Sequence, residues 1–272
     1  MLRFLTAGES HGKALVAIIE GLPAGLELNV EKINLLLKRR QGGYGRSKRM
    51  SLEEDRAEVF SGLRGAVTLG SPLTLVIRNR DWENWQKTMV PGTEAELGKH
   101  VVTRPRPGHA DLAGGLKYRQ EDLRNILERA SARETAVRVA VGAVAEQILS
   151  FFGIKVQGQV VAIGDVQAKR REKIVDSKSL YANPVYCPDQ EVSLLMVKAI
   201  EEVEKRGDSL GGVIQVIAEG VPAGIGSHVQ WDRRLDGQLA QALMSIPAIK
   251  GVEIGAGFGV ASLSGSQVHD EI

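Results

Sequence analysis

Gly8-Glu9-Ser10-His11-Gly12 sets an imidazole between glycines, directly ahead of an apolar run at 13–19. Glycine permits a tight turn and close ligand approach. A histidine there can serve as acid, base or anion contact near neutral pH. The competing reading is a turn histidine bonded to backbone. Arg104-Pro105-Arg106-Pro107-Gly108-His109-Ala110-Asp111 is the second group. Its prolines restrict the backbone, so the arginines and His109 are presented with little entropic loss. Arginine suits carboxylate or phosphate oxygens, and His109 could protonate a leaving oxyanion. A rigid surface loop with solvated arginines would read the same way.

Gln41-Gly42-Gly43-Tyr44-Gly45-Arg46, after Lys38-Arg39-Arg40, is the third group. Glycine-rich backbone with arginines is phosphate-binding chemistry, although basic residues at a helix C-terminus also complement its dipole. No Gly-Lys-Ser/Thr follows, so this is not a Walker loop. Gly255-Ala256-Gly257-Phe258-Gly259 matches a dinucleotide fingerprint only loosely. Histidines 11, 100, 109, 228 and 269 show no metal-ligand spacing.

The first of these groups is written twice. Residues 8–25 match residues 207–224 at nine of eighteen positions without a gap, from Gly8/Gly207 to Gly25/Gly224. Such a match predicts two copies of one supersecondary unit. Leu210 stands where the first copy has His11. The unit is therefore built without that histidine, which moves the reading of His11 from structure towards chemistry.

The elements that must position these groups follow from pattern. Residues 13–19 read as a buried strand ended by the Pro23-Ala24-Gly25 turn. Asn29 reads as the N-cap of a helix over 30–40, with Ile33, Leu36 and Leu37 on one face. Residues 41–48 are predicted as loop, and 57–61 and 72–78 as strands. The polar, proline-bearing stretch 80–108 is predicted as a long excursion with little regular structure. Helical spacing runs from Glu121 to Phe152 and predicts one long central helix. Its middle, Ala130 to Ala136, is small and polar enough for close approach of another element or a ligand. A strand at 154–163, a polar lysine-rich segment at 168–190 and a helix at 189–206 come next. The second copy then predicts a strand at 212–219, a helix at 232–246 and a strand at 251–255. The expectation is an α/β protein, one intertwined domain over 1–272 with repeat copies beginning near 8 and 207.

Composition narrows the function. The 272 residues are 43% hydrophobic and 25% charged, with a net charge of +2, so no global basic field argues for nucleic acid. The clustered arginines read instead as anion pockets. A single cysteine, Cys187, excludes an intrachain disulfide and suits a reducing compartment. No apolar stretch approaches the ~20 residues that span a bilayer. A cytoplasmic protein without nucleic-acid or membrane partners is expected.

Together with Glu128-Arg129-Ala130-Ser131-Ala132-Arg133-Glu134-Thr135 and Gly251-Val252-Glu253-Ile254-Gly255, the three groups stand in an order that resembles chorismate synthase along the whole chain. The resemblance implies a β-α-β layered fold with an internal pseudo-twofold repeat. It also implies a lyase that forms chorismate from 5-enolpyruvylshikimate 3-phosphate by 1,4-elimination of phosphate, with reduced FMN, and in some members NADPH as flavin reductant. By the same resemblance His11 and His109 are catalytic, and Arg46, Arg49, Arg106 and Arg133 bind the anionic substrate. Arg40, Arg46, Ser131, Ala132, Arg133, Pro247 and Ala248 contact cofactor, no metal is needed, and a homotetramer forms. Ala130 stands where members usually have serine. Members continue beyond the position of Ile272, so the resemblance implies C-terminal truncation. The alternative is a catalytically inactive family member that acts as a binding or subunit-interaction protein.

Overall fold

The computed structural model describes residues 2–46, 50 and 52–269. It divides into two compact units, the first through Gly220 and the second from Val221.

The first unit is built on a four-stranded antiparallel sheet. Its strands are β1 (Arg3–Ala7), β2 (Ala14–Glu20), β3 (Ala57–Ser61) and β6 (Leu73–Arg78), in the order β1-β2-β6-β3. A short hairpin, β4 (Leu63–Arg64) with β5 (Val67–Thr68), separates β3 from β6. Alternation sets the buried face: Leu15, Ala17 and Ile19 of β2 and Leu73, Leu75 and Ile77 of β6 enter one core. Against them lie α1 (Val30–Gln41), through Ile33 and Leu37, and α5 (Thr135–Phe151). Ala136, Val137, Ala140, Val141, Ala143 and Val144 recur at helical spacing on α5, and the alanines let it approach closely. Asn29 caps α1 as expected, its side chain accepting from the amides of Glu31 and Lys32. The Asn29 amide donates to Gln147 Oε1 at 2.8 Å, and Gln147 Nε2 donates back to Asn29 O, so a buried glutamine on α5 pins the start of α1.

A second antiparallel sheet orders β8 (Val166–Gln167), β7 (Lys155–Ile163) and β9 (Gly212–Glu219). It packs on α7 (Gln190–Glu204) through a small core of Val185, Cys187 and Met196. The lysine-rich segment lies along this sheet, held by Gln157 to the backbone of Val175 and by Gln215 to that of Arg171, before the short α6 (Ser177–Ala182). The second unit holds α8 (Leu235–Met244), two 3-10 turns (Trp231–Arg233 and Gly257–Ser262) and α9 (Gly265–Val268). Among the described residues no helix is long and apolar enough to cross a membrane.

Three expectations change. The stretch 80–108 contains a helix, α2 (Trp82–Met89), which ends before Pro91. The run 121–152 is two helices, α4 (Arg124–Ala130) and α5, divided by Ser131 and a 3-10 turn at Ala132–Glu134. Ser131 is extended (φ −65°, ψ 144°), and its hydroxyl accepts from the Arg133 amide. A cap inside an apolar run leaves the hydrophobic period intact and so is invisible to it. Residues 251–255 are irregular rather than a strand.

The repeated phrase is also a repeated backbone. Gly8, Gly21 and Gly25 are left-handed (φ +104°, +90°, +88°), and so are Gly207, Gly220 and Gly224 (φ +71°, +75°, +94°). Their surroundings differ within the first copy. A Cβ at Gly8 would lie 2.4 Å from Ala14 O, whereas one at Gly25 would meet nothing within 4 Å. Gly25→Ala is expected to lose about 1 kcal/mol, the cost of a left-handed L-residue. Gly8→Ala should lose at least about twice that, because backbone must also move. Urea unfolding midpoints of the two variants test the difference.

Candidate active site

His11 sits where the turn before β2 meets α4. Its amide donates to Glu128 Oε2 at 2.8 Å, and its Nδ1 lies 2.8 and 2.9 Å from the two carboxylate oxygens of the same residue. The Glu128 side chain is 1% exposed and that of His11 15%. Arg124, one helical turn earlier on α4, donates to Glu128 Oε1 at 2.9 Å. Burial pushes the Glu128 carboxyl up, but the bonds from His11 and Arg124 outweigh it, and the group is held below its ordinary range as an anion. One face of the imidazole rests on Trp85 of α2, with ring centroids 4.1 Å apart. His100 and the Arg124 guanidinium also pack on that indole. His11 Nε2 lies 3.8 Å from Asp81 Oδ2, beyond hydrogen-bond length.

The turn itself is fixed by Asn79, at the end of β6. Its Nδ2 donates to Gly12 O at 2.8 Å and Glu9 O at 3.1 Å, and its amide to Lys13 O. Ser10 donates from its hydroxyl to Ser131 Oγ at 3.1 Å and from its amide to Glu128 O at 3.0 Å. The helix break therefore lies beside the histidine turn.

His109 is backed in the same manner. Its Nδ1 lies 2.6 Å from Asp111 Oδ1, and Asp111 is fully buried at the start of α3 (Asp111–Tyr118). Arg106 closes on the same carboxylate, Nε donating to Oδ2 at 2.9 Å and Nη2 to Oδ1 at 3.2 Å. The Arg106 bonds lower the Asp111 carboxyl far below the ordinary range against an opposing burial effect, and His109 adds to them. The same bond raises the Arg106 guanidinium. Helices α3 and α4, which carry the two carboxylates, meet where α3 has no side chains. A Cβ at Gly114 would lie 2.4 Å from Ile126 Cγ2, and one at Gly115 2.5 Å from Leu123 Cδ2.

Arg40 and Arg133 share one carboxylate. Arg133 Nη1 donates to Asp55 Oδ1 at 2.6 Å and Nε to Asn79 Oδ1 at 2.9 Å, with Nη2 3.5 Å from Glu53 Oε2. Arg40 donates to Thr135 Oγ1 and Ala132 O, both at 3.0 Å, and lies 3.4 Å from Asp55 Oδ2. Burial pushes the Arg40 guanidinium below its ordinary value; Asp55 opposes this, and the charges of Arg133 and Arg46 add to it. Arg46 is exposed, its Nε donating to Gly42 O at 3.0 Å.

The structure thus joins His11, Ser131 and Ala132 in one cluster, Arg40, Arg133 and Ala132 in an adjoining one, and Arg106 with His109. Arg133, expected to bind the anionic substrate and contact cofactor, is only 6% exposed and turned onto protein carboxylates. Pro247 and Ala248 are exposed in the second unit, Ala248 with φ +71°. Arg49 lies outside the described residues. Sequence reasoning missed Glu128, Asp111, Asp55, Asn79 and Trp85 as site residues. Asp111 stands two residues after His109, and Glu128 stands i+4 from Arg124, so spacing carried a signal for both. Asp55 and Asn79 had none.

The Asp111 shift fixes a pH dependence. Its folded-state pKa is depressed, so its contribution to stability is complete above the unfolded-state value of about 4 and fades as the pH falls below it. Asp111→Asn should therefore destabilise the protein by a constant amount near neutrality, with the gap to wild type narrowing below about pH 4. Urea melts across a pH series measure this.

The sequence matches the family model for chorismate synthase over residues 2–272. It is 63% identical to a chorismate synthase of Moorella thermoacetica across all of this chain and 71% of that protein. It is 59% identical to that of Aquifex aeolicus, again over all of this chain and 71% of the relative. A crystal structure of chorismate synthase superposes with a TM-score of 0.82 at 50% identity, covering 99% of this chain and 74% of that one. The chain belongs to the chorismate synthase family.

Proposed function

We propose that this chain is a lyase that converts 5-enolpyruvylshikimate 3-phosphate to chorismate and phosphate by 1,4-elimination, with reduced FMN as cofactor. The observation that carries this reading is the pair of histidines, each bonded through Nδ1 to a buried carboxylate that also holds an arginine. In the elimination the ring loses a hydrogen, the carbon–oxygen bond to phosphate breaks and a ring double bond forms. No net oxidation occurs. His109 is proposed to protonate the departing phosphate, beside the Arg106 guanidinium, which attracts the same oxygens. His11 is proposed to exchange a proton at Nε2. Arg46, Arg49 and Arg133 complete the proposed anion-binding set, with Arg133 acting from its buried position.

The residues at the helix break suit an electron-rich, anionic flavin. Burial chiefly lowers the Arg40 guanidinium, the charges of Arg133 and Arg46 add to it, and an anion bound beside these arginines would offset their repulsion. Ser131 and Ala132 lie on the same break, and Pro247 and Ala248 of the second unit are further proposed flavin contacts. When bound, reduced FMN supplies electron density to the reacting allylic system. NADPH as flavin reductant, a homotetramer, a single functional domain and a cytoplasmic setting belong to the same proposal. No observation favours the inactive alternative.

Anaerobic incubation with substrate and reduced FMN should release chorismate and phosphate in equal amounts. His11→Ala and His109→Ala should each lower kcat by about 10²–10⁴-fold, the range for loss of a general acid or base. A product net oxidised with its hydride passed to an acceptor, or net reduced with hydride consumed, would mark an oxidoreductase instead. A folded chain that neither quenches FMN fluorescence nor turns over would favour the inactive alternative.

A further inference from the structure

We infer that Glu128 is a positioning residue that fixes His11 in the tautomer bearing hydrogen on Nδ1 and so presents Nε2 as the nitrogen that exchanges a proton. The inference rests on the proposed role of His11, but its geometry stands apart from it. An ionised carboxylate can only accept hydrogen bonds. Glu128 faces Nδ1 at 2.8 and 2.9 Å, so a neutral imidazole must carry its hydrogen there. The same carboxylate accepts the His11 amide at 2.8 Å. Backbone and ring are thus held by one group, and the ring cannot turn about without losing a bond.

Two further contacts complete the clamp. Arg124 bonds Glu128 Oε1 at 2.9 Å and His100 O, which holds the carboxylate in place and keeps it charged. Trp85 covers one face of the imidazole. Nε2 is left 3.8 Å from Asp81 Oδ2, outside hydrogen-bond reach, on the one edge of the ring that no hydrogen bond from Glu128 engages. A carboxylate behind a catalytic imidazole also stabilises its charged form, so the arrangement lets Nε2 take up a proton and return it. Glu128 itself need touch neither substrate nor cofactor.

Selective ¹⁵N labelling of the five histidines makes the tautomer visible, since protonated and bare ring nitrogens resonate far apart. The full chain is examined at a pH where the ring is neutral, and the His11 signals are assigned by their loss in His11→Asn. Wild type should show a protonated Nδ1 and a bare Nε2. In Glu128→Gln the pattern should shift towards a mixture of tautomers, and kcat should fall by roughly 100-fold with KM little changed. Glu128→Asp, which keeps the charge at a shorter reach, should recover part of both. A wild-type His11 with hydrogen on Nε2 overturns the inference without any variant. So does an unchanged His11 pattern in a folded Glu128→Gln protein. Full turnover by His11→Ala would instead defeat the catalytic role proposed for His11 and leave the tautomer assignment standing on the spectrum.

Discussion

Arg133 is a cation that the fold has taken out of water, and the site depends on how that charge is answered. Removing a guanidinium from solvent costs several kcal/mol unless good partners surround it. Asp55 and Asn79 answer it at 2.6 and 2.9 Å. Neither partner is idle elsewhere. Asp55 also faces Arg40 at the end of α1, and Asn79 also grips the backbone on both sides of Ser10 and His11. One buried charge thereby ties the helix break, the end of β6, the end of α1 and the histidine turn into a single rigid body. Preorganisation of this kind spares a ligand the cost of ordering the site.

The break at Ser131 makes that possible. A continuous helix would spend the Ala132 carbonyl on its own ladder. Here Ala132 O accepts the Thr135 amide of the 3-10 turn and also Arg40 Nη2 and the Thr135 hydroxyl, while Ser131 Oγ accepts from Ser10. Small side chains at 130–132 allow the histidine turn to come this near. The candidate site thus falls where the regular element fails, between α4 and α5.

Much of the scaffold was legible in the sequence because its signals are local. The apolar run of β2, the Asn29 cap of α1 and the Asp189 start of α7 all act within a few residues, and each element formed where its pattern lay. The break at Ser131 was not legible, since the apolar period continues through it. Helix α2 was hidden by polar residues, although Trp82, Trp85 and Met89 follow helical spacing and Pro91 supplies a stop. Of the site, the histidines and arginines could be named from their neighbours. The carboxylates that orient them could be named only where they fall close in sequence, as Asp111 does to His109. Asp55 meets Arg133 across 78 residues, a pairing that tertiary structure alone creates.

The repeated glycines separate two duties within five residues. Gly8 and Gly207 supply the left-handed backbone of their turns, and the position between Ser10 and Gly12 needs no such conformation. In the second copy the equivalent side chain is Leu210, which lies against Gly164. A duplicated unit of this design can lose or gain a reactive group at that position while its folding instructions stay intact. The turn is in effect a socket, and a lineage could refit it with new chemistry without relearning how to fold.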